Sequence, residues 1–251
     1  MKILIGSDPE LFLMKDGKFV SAHGVIQGSK EHPFKVPLGA VQVDGMAVEF
    51  NTDPAGCETE FLTNVQTVMR TLELMCQGYE VVAVPVADFG YDYIASQPDE
   101  AKELGCDPDY NAYSGEANVK PDVNLPFRTA SGHVHIGWGS NLPSDIQHHA
   151  TCATVARQMD FFLGLPSLFF DNDTRRREMY GKAGAFRVKP YGVEYRTLSN
   201  AWLKSEELIK WVFRNAQKGM QELVAGRDLF KEFGDVQEII NTSNKKEAER
   251  I

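Results

Sequence analysis

The sequence is poor in the features that assign a protein to the commonest functional classes. No apolar stretch approaches the ~18 consecutive residues of a membrane-spanning helix. Met1-Lys2-Ile3-Leu4-Ile5 is too short for a secretory leader and reads as the start of a strand, so a cytoplasmic protein without membrane attachment is expected. Basic residues are outnumbered, 26 Lys and Arg against 35 Asp and Glu, for a formal net charge of −9. That balance argues against a general nucleic-acid or membrane-surface binder, because both need a basic face. The four cysteines, Cys57, Cys76, Cys106 and Cys152, form no C-x-x-C pair and read as reduced thiols rather than a zinc site. There is no G-x-x-x-x-G-K-[ST], no G-x-G-x-x-G after a strand and no G-x-S-x-G. A P-loop, a Rossmann site and a serine-hydrolase elbow are therefore unsupported.

What the chain has is 251 residues, 43% of them apolar, enough for one sizeable core. Strand-like and helix-like stretches interleave, and a single domain over 1–234 with a polar tail over 235–251 is expected. Residues 3–14 read as a strand interrupted at Asp8-Pro9, followed by a turn at Lys15-Asp16-Gly17-Lys18. Residues 40–51 read as a second strand and Val81 to Val86 as a third. Phe61, Val65, Val68, Met69, Leu72 and Met75 keep helical spacing up to Gly78. Residues 90–128 show no period and are expected to cover or line a site. Strand character returns at 129–138 and 191–198. Two further helices open at the capping residues Ser144 and Ser205.

The chemistry lies in polar pairs two residues apart on strands, a spacing that puts both side chains on one face. The pairs are Asp8 and Glu10, Glu49 and Asn51, His133 and His135, and Glu194 and Arg196. A solvated sheet face is the plain reading of any one of them. Four together, in strands that also carry apolar residues between the polar ones, predict a shared face of carboxylates and imidazoles. Such a face is unfavourable unless cations neutralise it, and oxygen-rich sites suit Mg²⁺ or Mn²⁺. The His-x-His pair leaves a second reading open, a hydrolytic zinc site. Gly132 and Gly137 beside it signal close backbone approach.

The one basic concentration is Arg175-Arg176-Arg177, Lys182, Arg187 and Lys189. It reads either as a solvated loop or as a phosphate cradle, which Gly181 and Gly184 would let approach a nucleotide. Asp107, Asp109 and Asn111 are candidates to hold an amine and Arg128 to hold a carboxylate, with loop stabilisation as the competing reading of each.

Four segments in order resemble a known family. They are Gly6-Ser7-Asp8-Pro9-Glu10, Asp44-Gly45-Met46-Ala47-Val48-Glu49-Phe50-Asn51, Ser131-Gly132-His133-Val134-His135-Ile136-Gly137, and Tyr180 to Arg187 continuing through Tyr191 to Arg196. Together, over roughly residues 3–215, they resemble the phiEco32-like phage amidoligases of type 2, COOH–NH2 ligases distantly similar to glutamate–cysteine ligase and glutamine synthetase. The resemblance implies an α+β fold, a curved and mainly antiparallel sheet with helices on the convex face and the site in the concave one. It implies an ATP-dependent carboxylate–amine ligase that forms an amide through an acyl phosphate, with ATP and Mg²⁺ (or Mn²⁺) as cofactors. The implied metal ligands are Glu10, Glu49 and Glu194 with His133 or His135, and Asp8 and Asn51 as further members. Arg187 and Arg196 are implied to stabilise the transferred phosphoryl group with help from Lys182, and Arg177 joins them as part of the basic cradle. The implied partners are small-molecule or peptide carboxylates and amines, and the implied location is the host cytoplasm if the chain is phage-encoded. The first pair is Asp-x-Glu where the large ligases often have Glu-x-Glu. A non-catalytic phage protein keeping the fold, or a metal hydrolase, are the alternatives.

Overall fold

The computed structural model describes residues 2–102, 109–119, 124–139 and 146–251. Cys106, Asp107 and the capping residue Ser144 lie outside them. Among the described residues, ten strands form one sheet: β1 Leu4–Lys15, β2 Lys18–Val20, β3 Phe34–Val36, β4 Gly39–Asp44, β5 Ala47–Thr52, β6 Glu80–Val82, β8 Tyr110–Asn111, β10 Gly132–Gly137, β11 Ala185–Lys189 and β12 Gly192–Tyr195. Two more, β7 Val86–Asp88 and β9 Phe127–Thr129, pair apart from it. The main order is β3-β4-β5-β1-β10-β12-β11-β8, and its neighbours run antiparallel.

The long β1 changes neighbours along its length. Leu4 to Pro9 pair with β10, Glu10 and Leu11 with β5, and Phe12 onward with β6 and β2. The expected interruption at Asp8-Pro9 is absent, because pairing with β5 starts at Glu10. The proline, with no N–H to give, sits where the neighbour changes. The expected strand over 40–51 is instead the hairpin β4–β5. Its turn follows Asp44 through Gly45 at φ 57°, a left-handed backbone that glycine adopts without steric cost. The stretch from Val81 likewise divides into β6 and β7 around Pro85.

Alternation sorts the two faces of the sheet. Ile5, Leu11, Val41, Val48, Phe50, Val134, Ile136, Phe186, Val193 and Tyr195 point to one side and are buried there against helices. The helix Glu58–Met75 contributes Phe61, Val65, Val68 and Leu72 at helical spacing. Each such fully buried side chain is worth roughly 1.5–3 kcal/mol of transfer free energy. The helix Ile146–Met159 adds Cys152, Ala156 and Met159. The helix Glu206–Val224 adds Val212, Phe213, Ala216 and Met220, and starts where Ser205 Oγ accepts from Leu208 N–H at 3.2 Å. The tail is helical in short pieces, Gln237–Asn241 and Lys245–Ala248.

A second apolar cluster covers one end of the opposite face. Phe12, Met46 and Ala47 meet Ala87, Phe89 and Ile94 from the segment after β6, with Phe12 and Phe89 edge to face at 5.7 Å. The rest of that face carries the polar side chains. Among the described residues, no helix is long and apolar enough to cross a membrane.

Candidate active site

Register, not just sequence spacing, brings the polar pairs together. Gly6, His135, Glu194 and Arg187 lie opposite one another in turn across β1, β10, β12 and β11. Asp8 faces His133 in the next row, and Glu10 faces Glu49, which faces Gln42. Residues directly opposite in an antiparallel sheet share a face with Cβ atoms ~4.5–5.5 Å apart. One surface therefore gathers carboxylates from three strands, β1, β5 and β12, with the imidazoles of β10 among them.

The ligand atoms of Asp8, His135 and Glu194 lie within 4.8 Å of one another. Asp8 Oδ1 is 3.0 Å from His135 Nε2 and 3.3 Å from His133 Nδ1. Yet Asp8 Oδ1, His135 Nε2 and Glu194 Oε2 are buried with no well-aligned hydrogen bond. Buried polar atoms of this kind are costly. Two carboxylate oxygens and one imidazole nitrogen around a common point fit a hard divalent cation such as Mg²⁺ or Mn²⁺. Glu10 and Glu49 stand beside this triad. Glu10 Oε2 accepts from Ser131 N–H at 2.7 Å, and Glu49 Oε2 accepts from Gln42 Nε2 at 2.8 Å.

The charges divide by their neighbours. Burial first, then Asp44, pushes the Glu10 carboxyl up to about 7. Burial followed by Asp8, Asp44 and Glu10 raises Glu49 well above the ordinary range. Burial also works against ionised Asp8, but His135 and His133 outweigh it and hold this carboxyl well below its ordinary value. Burial and Asp8 oppose ionisation of Glu194, and Arg196 with the two histidines overcomes them to bring it down to about 2. The buried Arg196 donates to Glu194 Oε1 and to the Tyr180 hydroxyl, and its Nε is 3.5 Å from Asp109 Oδ2. Lys189 Nζ and Arg187 Nη1 reach Glu194 Oε2 at 2.8 and 3.5 Å.

His133 is placed differently from His135. Its Nδ1 is 3.4 Å from Arg196 Nη1, and burial with that guanidinium lowers it to about 4. Its Nε2 faces the Tyr180 hydroxyl at 3.5 Å. Both imidazoles approach Asp8 Oδ1, but only His135 joins Asp8 and Glu194 in the group whose ligand atoms lie within 4.8 Å of one another.

Residues 125–238 match the family model described as phage phiEco32-like COOH.NH2 ligase-type 2. Over those residues the chain is similar to that family. No curated protein matches the chain significantly. The matched segment carries His133, His135, Tyr180, Arg187, Glu194 and Arg196. Asp8, Glu10 and Glu49 come from outside it, and β1 and β5 set them against it.

The basic cradle expected at Arg175-Arg176-Arg177 is not on this face. Arg177 is buried in an ion pair with Asp171 at 3.1 Å, so it is corrected from a nucleotide contact to an interior pair. Arg175 binds Asp88 and Asp173. Arg176 is buried and donates to the carbonyls of Thr197 and Arg196. The glycines of this stretch serve packing rather than a nucleotide. A Cβ on Gly181 would lie 2.1 Å from Arg176 Nη1, and one on Gly184 would lie 2.7 Å from the Tyr113 ring. Lys182 is exposed and is tied in by its carbonyl, which accepts from Thr197 Oγ1 at 3.0 Å. Gly132 fits the expectation of close approach, with its carbonyl accepting from Trp202 Nε1 at 3.1 Å. Asn111 caps its own turn by accepting from Tyr113 and Ser114 N–H, and buried Arg128 donates to the Leu125 and Phe127 carbonyls. Both are loop stabilisers, whereas Asp109 reaches the site through Arg196. Sequence reasoning missed Gln42, Tyr180 and Tyr191. Their signal is register and hairpin position, which spacing within one segment does not reveal.

Proposed function

We propose that this chain forms an amide by using ATP to activate a carboxylate as an acyl phosphate, which an amine then attacks. The observation that carries the reading is the shared face of Asp8, Glu10, Glu49, His135 and Glu194, bordered by Arg187, Lys189 and Arg196. Phosphoryl transfer needs positioning and charge neutralisation more than covalent help from protein, and this face offers both. Asp8, His135 and Glu194 would hold one Mg²⁺ or Mn²⁺, and Glu10 with Glu49 would serve a second. When bound, the cation supplies neutralisation for phosphate and carboxylate charge alike.

The protein's own groups divide the remaining work. Arg196 and Arg187 lie within reach of a phosphoryl group bound over Glu194, and their guanidinium forks suit its oxygens. Lys189 adds a point charge beside them. Burial and neighbouring carboxylates raise Glu10 and Glu49, and positive charge entering the site would favour their ionised forms. Arg177 has no part in this scheme. The test is release of ADP from ATP with Mg²⁺ across a panel of carboxylates and amines. The expected result is ADP that depends on both substrates, matched by an amide product in mass spectrometry. ATP-independent hydrolysis, or no ADP with any pair while the protein remains folded, overturns the reading.

A further inference from the structure

His135 reaches the carboxylates through Nε2, and its other ring nitrogen meets a side chain that strand spacing does not single out. Nδ1 lies against the Tyr191 hydroxyl, with the two rings 6.0 Å apart and tilted by 38°. Tyr191 stands in the turn between β11 and β12, and its carbonyl is fixed by Trp138 N–H at 3.1 Å. Gly137, two residues along β10 from His135 and on the same face, lies beside the ring, where a Cβ would make ordinary contact at 3.6 Å from Tyr191 Cδ2. The residue after Tyr191, Gly192, is constrained, since a Cβ would lie 2.1 Å from the Ile136 carbonyl. The close approach at Gly192 and the bond from Trp138 N–H thus seat the tyrosine across β10 with its hydroxyl on the imidazole.

A neutral imidazole carries one proton, and the partner of one nitrogen decides the state of the other. We propose that Tyr191 is a positioning residue that accepts a hydrogen bond from His135 Nδ1–H and so keeps the Nε2 lone pair directed at Asp8 and Glu194 for a divalent cation. The inference rests on the metal reading given above. The same hairpin also sends Lys189 to Glu194 Oε2 at 2.8 Å. One turn therefore supports two members of the triad.

The test uses Tyr191→Phe, which removes only the hydroxyl from a ring that is 43% exposed. Titration with Mn²⁺ alone, followed by electron paramagnetic resonance and calorimetry, is expected to show affinity about 10- to 100-fold weaker than the native chain. With Mg²⁺ bound, nitrogen NMR is expected to show native His135 protonated at Nδ1 and hydrogen-bonded to Tyr191, and that Nδ1–H signal is expected to shift in the variant. Unchanged Mn²⁺ affinity in the variant, or an Nδ1–H signal that is the same in both proteins, overturns the role of Tyr191. Absence of Mn²⁺ binding by the native chain overturns the metal reading instead.

Discussion

Asp160 is the most quantifiable buried charge away from the site. It lies in a π-helical turn, Asp160–Gly164, with no solvent exposure. Its Oδ1 accepts from the Tyr195 hydroxyl at 2.6 Å and its Oδ2 from the Tyr113 hydroxyl at 2.8 Å. Burial is the largest influence and lifts the carboxyl from 3.8 to about 7, although these hydrogen bonds pull the other way. A raised acid means that the folded state holds the proton more tightly than the unfolded one. Folding is therefore unpenalised below 3.8, and stability falls as pH rises until the folded group has ionised near 7. At about 1.36 kcal/mol per unit, the full penalty is about 4 kcal/mol, of which about 3 kcal/mol develops between pH ~5 and pH ~9. Asn mimics the protonated acid, since it can accept from one tyrosine and donate to the other. Asp160→Asn should match the native chain at low pH and exceed its stability at high pH. Urea denaturation of both proteins at the two pH values gives a double difference in which other titrating groups cancel. Parallel stability profiles for the two proteins would refute the reasoning.

The site carboxylates should respond in opposite directions. Glu49→Gln removes a crowded group with a raised pKa and should stabilise the metal-free protein, whereas Glu194→Gln leaves buried Arg196 without its main counter-charge and should cost roughly 3–5 kcal/mol. Denaturant midpoints check the two signs, and ATP turnover should be lost in both variants while circular dichroism stays native. Adding Mg²⁺ or Mn²⁺ at ~100 times its dissociation constant should stabilise the fold by about 2.7 kcal/mol, and Asp8→Asn should abolish the gain. Calorimetric melting with and without chelator measures it, and an unshifted native transition would count against cation binding. Gly132→Ala should cost ~1–3 kcal/mol or more, because the new methyl would sit 2.2 Å from the Ser199 carbonyl and 2.4 Å from Trp202 Nε1. A change under about 0.5 kcal/mol in urea would show that the backbone yields there.

Much of this was legible in the residues. Alternation in Val48-Glu49-Phe50-Asn51 and His133-Val134-His135-Ile136 sets a polar face against an apolar one, because a strand turns each successive side chain over. The helical stripe from Phe61 to Leu72 and the Ser205 cap follow from equally local physics. The Asp44-Gly45 turn was also local, but it was masked by the apolar residues on either side.

Other features depended on neighbours that the sequence does not order. Nothing within Arg175-Arg176-Arg177 separates a phosphate cradle from interior pairing. Asp171, distant carbonyls and the cost of burying an unpaired guanidinium decided that Arg176 and Arg177 turn inward. Spacing placed His133 and His135 on one face, but only the approach of Arg196 to one and Tyr191 to the other gave them different environments. The composition of the site was thus determined locally, by the period of a strand. Its connectivity was decided by strand order and register, because electrostatic and hydrogen-bond energies depend on distances between segments far apart in the chain.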